Sequence, residues 1–297
     1  MIILFTKLLA LISPQILCIT LAKLLTPTTW RTVIVGSAAT ALYLIIRTPI
    51  RMIAREFPEI QMQALMGEVI TVHFVLLWLA YSVTKQAMLW SIFRHPKSPV
   101  KTWQDTLVFA FSYSATAAII TLPTRFRKVI LHIAHDFETI STSEYTSLYG
   151  QIVSLKTIPT RILEDRLNQD IPWRSIFSLM PEYSFLPLAI SLATALGVLY
   201  SIHTKKIWPI IAATFLHILT APVYSFGLGM WVWEEMRKEG VVGQIASTIF
   251  DLTFWINGNT IPFLIIHHLP GLLLFIPTIA FAIYIIRQMN RPAGATE

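Results

Sequence analysis

Residues 252–286 carry no Asp, Glu, Lys or Arg, and the windows 183–204 and 207–233 share that property. A helix of roughly 20 apolar residues crosses a hydrocarbon core about 30 Å thick. Only helices and closed barrels satisfy the backbone there. The windows therefore predict an all-α protein, a polytopic transmembrane helix bundle of about seven spans (six to eight). The chain is 55% hydrophobic and 13% charged, against about 25% charged in an average globular domain. That balance favours an integral, multi-pass membrane protein over an anchored soluble domain.

The spans fall at about 2–25, 32–46, 63–83, 106–124, 184–203, 207–230 and 261–286. The first has no basic region ahead of its apolar run and reads as a span rather than a removed signal peptide. Segment 241–256, apolar except for Gln244 and Asp251, is where an eighth span would arise. Three regions follow: a four-span part at 1–124, a polar loop at 125–182, and a three- or four-span part at 183–297. Within the loop, Phe126, Ile130, Ile133, Phe137 and Ile140 recur at helical spacing. They predict an amphipathic helix lying along an interface.

Net charge is +7 and the isoelectric point is near 9.6. In this setting the excess reads as basic loops facing anionic lipid. The positive-inside rule then places the C-terminus in the cytoplasm, with a bacterial inner membrane as the location. Membrane lipids and other membrane subunits are the expected partners. No Lys/Arg run reaches five residues and no zinc-finger spacing occurs, so nucleic acid is not expected. The single cysteine, Cys18, excludes an internal disulfide and reads as apolar filler.

Ionisable groups inside an apolar span are costly, which makes each a functional candidate. By this criterion the candidates are Asp251, Glu68, His73, His217, His267 and His268. His73 and His217, mid-span on different helices, have the character of axial haem ligands. His132, His135 and Asp136 form an H-x-x-H-D pattern and are the candidate metal ligands. Together with His267-His268 they resemble the histidine boxes of membrane di-iron hydroxylases and desaturases, although those proteins use more histidines in several clustered boxes. No G-x-S-x-G, H-E-x-x-H or Gly-rich phosphate loop is present. Pro270 and Pro277 in the last span point mildly to a cavity-forming bundle.

Residues 107–121, with Ser112-Tyr113-Ser114-Ala115, are loosely similar to the Tyr-Ser-containing span of Yip-family membrane proteins. The similarity covers a few residues, and the polar region 125–182 departs from that compact five-span layout. The pattern favours a non-enzymatic transport, channel or membrane-complex assembly component. The alternative is a membrane-embedded lipid-modifying enzyme with a histidine-rich interfacial site. No cofactor is required by either reading, with haem or a metal ion as the groups the histidines would hold.

Overall fold

Proline and threonine set the helix boundaries. The computed structural model describes residues 9, 10, 12–55, 72–136, 184–220 and 262–291, and these wind into seven helices. α1 (Ser13–Leu25) begins with Pro14 in its first turn, where no backbone N–H is needed. It ends as Thr26 turns extended ahead of Pro27. α2 (Trp30–Arg55) and α3 (Val72–Arg94) follow. α4 (Trp103–Asp136) opens on a reciprocal cap. The Asp105 amide donates to Thr102 Oγ1 at 3.2 Å, and the Thr102 amide donates to Asp105 Oδ2 at 3.0 Å.

α5 (Leu186–Thr204) stops where Lys205 adopts a left-handed backbone, φ 58°. Only a short turn separates it from α6 (Trp208–Leu219), so the two run antiparallel. α7 (Pro262–Met289) completes the set.

α5 is the axial element, packed on α3, α4, α6 and α7. Its Leu186 and Leu196 are fully buried, and Ala189, Ala193 and Ala195 are nearly so. α2 and α4 make the other extensive interface. There a Cβ on Gly36 would come within 2.7 Å of the Phe109 carbonyl oxygen, so glycine is what lets the backbones approach. Thr40 Oγ1 seals the seam by donating to the Tyr113 carbonyl at 2.9 Å. Gly197 plays the same part between α5 and α6, where an added Cβ would meet the Pro209 carbonyl oxygen at 2.9 Å.

The seven-span expectation is corrected by this architecture. Among the described residues, two helical stretches combine the length and apolarity of a span, Trp30–Ile50 and Leu186–Thr204. In the second, 78% of the residues of its apolar window are buried against other helices, so packing within the protein accounts for its composition. α1 and α6 extend over 13 and 12 residues, short of the roughly 20 a span requires. α3 carries Lys85 and Arg94 in its course.

Among the described residues, the structure supports an all-α domain of seven helices. The multi-pass description, the lipid and membrane-subunit partners, the inner-membrane location and the cytoplasmic C-terminus all presuppose those spans, and they are corrected with them.

Two boundaries also differ. Pro49 lies inside α2 rather than opening an interfacial connection. Pro123 lies inside α4, which runs unbroken to Asp136 instead of ending near 124. Phe126, Ile130 and Ile133 thus lie on the continuation of α4, whereas Phe137 and Ile140 fall outside the described residues. Large apolar side chains also point outward, among them Leu24, Leu25, Ile34 and Ile45.

Candidate functional site

A polar stripe runs down one face of α3. Trp78, Ser82, Lys85, Gln86 and Leu89 recur at three- and four-residue steps and therefore share that face. Ser82, Lys85 and Gln86 are all buried, Lys85 being 5% exposed. Facing them are Tyr43 and Arg47, one turn apart on α2, Tyr113 on α4, and His217 and Thr214 on α6.

The groups are linked by specific contacts. Arg47 stacks its guanidinium over the Tyr81 ring, 4.1 Å from the centroid. Lys85 Nζ sits over the Tyr113 ring at 5.0 Å. Tyr43 Oη donates to the Tyr81 carbonyl at 3.3 Å, and the Tyr43 and Tyr113 rings are 6.3 Å apart. Gln86 Nε2 donates to Thr214 Oγ1 at 2.7 Å, tying α3 to α6. Trp78 meets the His217 ring edge-on at 5.7 Å and the Tyr81 ring at 5.9 Å.

Among the described side chains, positive charge predominates here. A guanidinium keeps its proton throughout the accessible pH range, so Arg47 is a fixed cation. Burial, reinforced by repulsion from Arg47, pushes the Lys85 amine down to about 7. Burial first, and then the two cations, hold His217 well below the usual histidine range, which leaves it neutral at physiological pH. Burial raises the Tyr113 phenol well above its ordinary value, so it stays protonated.

Among the described side chains one carboxylate occurs, Asp105. It lies eight residues before Tyr113, about 12 Å along the helix axis. It is occupied by Thr102 and by the Lys101 amide. Four buried polar atoms at or beside the cluster have no hydrogen-bond partner among the described residues: Arg47 Nε, Tyr113 Oη, Ser114 Oγ and His217 Nδ1. Buried polar groups are nearly always paired. Arg47 and Tyr113 are donors here, which makes the concentration of orphans suited to an acceptor that carries negative charge.

The residues singled out in the sequence are placed as follows. His217 belongs to the cluster. His73 lies at the start of α3, His267 and His268 in the early turns of α7, and His132, His135 and Asp136 in the final turns of α4. The side chains of these six fall outside the described set, as do Glu68 and Asp251 entirely. Among the described residues no group of three or more His, Cys, Asp or Glu side chains could hold a metal ion. The histidine-rich lipid-modifying enzyme is corrected on that ground. Transport and channel roles were inferred from a multi-span bundle and fall with the span count.

Lys85, Arg47 and the three tyrosines were not among the sequence candidates. The available signal was an amine embedded in an apolar helical run, with Tyr81 four residues before it and Leu89 four after. No family model, curated protein or solved structure matches the chain. Among the described residues, the fold and site define an all-α domain of seven helices with a buried lysine and a half-buried arginine that no described carboxylate faces.

Proposed function

We propose that the protein binds a small anion, a carboxylate or a phosphate, between Arg47 and Lys85. The observation that carries this reading is a buried lysine and a half-buried arginine without a facing carboxylate among the described residues, with two unpartnered donors, Arg47 Nε and Tyr113 Oη, beside them. An isolated charge in a low-dielectric interior costs several kcal/mol. A bound anion offsets that cost, because charge-assisted hydrogen bonds from a guanidinium and an ammonium are among the strongest available. Tyr113 Oη supplies a third donor. The rings of Tyr43, Tyr81 and Tyr113 form apolar walls that suit a compact ligand. The site holds charge; it does not assemble a nucleophile with a base.

The test is calorimetric titration of the purified protein with acetate, phosphate, sulfate and chloride near pH 6.5. Saturable binding of at least one of them is expected, reduced at least tenfold in Lys85→Met and in Arg47→Met. Helicity and melting temperature, read alongside, show whether each variant is folded. Absence of binding by all four anions to folded wild-type protein overturns the reading.

A further inference from the structure

This inference rests on the anion-binding reading and concerns how that site is regulated. Lys85 is buried inside the bundle, its Nζ 5.0 Å from the centre of the Tyr113 ring and repelled by the Arg47 cation. In that setting the empty site favours the neutral amine, because an ammonium would sit unpaired beside Arg47. An arriving anion reverses the balance by supplying the missing counter-charge. We propose that the anion enters together with one proton, which is taken up on Lys85 Nζ. The balance is simple: a neutral amine, a proton and an anion give an ammonium–anion pair, with no bond broken elsewhere.

The groups that face Lys85 decide whether another residue could take the proton. On its own helix Tyr81 and Gln86 adjoin it, and Gln86 is fixed to Thr214. α2 brings Arg47 and Tyr43. Arg47 is already protonated, and the Tyr43 hydroxyl keeps its proton in donating to the Tyr81 carbonyl. α4 brings Tyr113, also protonated. α5 has two titratable groups among its described residues, Tyr200 and His203 near its C-terminal end, with His203 exposed and Tyr200 engaged by Trp208. α6 brings His217, the one competitor among the described residues, held neutral by burial and by both cations. Burial and Arg47 set the Lys85 amine at about 7 in the empty site. Uptake should therefore be greatest above that pH and fade below it, where the amine is already charged.

Calorimetry of acetate binding, the ligand itself being fully ionised in this range, in buffers of differing ionisation enthalpy counts protons taken up per anion. At pH 8.5 the expected count is close to one, and the apparent Kd should rise about tenfold per pH unit above about 7. Lys85→Arg, which keeps the charge permanently, should bind with a count near zero and little pH dependence. His217→Gln should retain the count. Wild-type binding with no proton uptake overturns the proton coupling while leaving anion binding intact. Uptake that persists in Lys85→Arg and vanishes in His217→Gln overturns the assignment to Lys85. Failure of any anion to bind removes the underlying reading as well.

Discussion

α5 and α3 pack against each other, yet they solve burial in opposite ways. α5 is buried nearly all round and almost entirely apolar, with alanine and glycine where neighbours come close. α3 is equally enclosed along one face but places serine, lysine and glutamine there. Apolar burial stabilises by roughly 25 cal/mol per Å², whereas a buried amine costs stability unless it is paired. The contrast teaches that one helix is selected for packing. The other keeps polar groups whose presence packing alone does not explain.

The largest test of that contrast lies at the packed seam. Phe109 is fully buried, meets Phe93 edge-on at 5.0 Å and lies under Gly36. Phe109→Ala should destabilise the fold by about 3–5 kcal/mol, the usual cost of an aromatic-sized cavity. Chemical denaturation monitored by helicity measures it.

A change of opposite sign is expected on the polar stripe. Lys85→Met replaces an amine with an apolar side chain of similar length, and removing a buried polar group of this kind should stabilise the fold by about 1–3 kcal/mol. The sign with pH follows from linkage. Folding lowers the Lys85 amine from its ordinary 10.5 to about 7, so the unfolded chain binds more protons between those values. Stability of the wild type should therefore rise as pH increases from about 7 toward 10.5. The Lys85→Met variant should lack that rise. Melting temperatures across this window decide the matter, and a wild type with no such slope breaks the contrast.

A smaller effect is expected where the stripe is already satisfied. Gln86→Leu removes the 2.7 Å hydrogen bond to Thr214 and leaves that hydroxyl its intrahelical partner, the Ile210 carbonyl. The expected loss is about 1 kcal/mol. A loss as large as that of Phe109→Ala would mean the α3–α6 contact is structural to the same degree as the packed seam.

The helices themselves were legible because apolar runs and proline boundaries are local signals. Residues 184–203 and Leu186–Thr204 nearly coincide. What those helices are immersed in was not legible. Apolarity satisfies a lipid environment and a protein interior equally, and α5 shows the second use.

The site was mostly hidden for a related reason. An apolar run taken to end at Val83 leaves Lys85 outside it, and Arg47 then reads as a terminal anchor. Both lie inside longer helices, α3 and α2, that continue beyond those points. Tyr113 stood in a conspicuous Ser-Tyr-Ser-Ala segment, but spacing within one helix cannot reveal which other helix it will face. His217 was found because a lone imidazole in an apolar run is visible without tertiary information.

The most direct measurement is a crystal soaked in bromide, with the anion located by its anomalous scattering. A peak within contact distance of both Lys85 Nζ and the Arg47 guanidinium is the predicted result. A carboxylate of this same chain occupying that position, or no peak there at saturating bromide, would contradict the account.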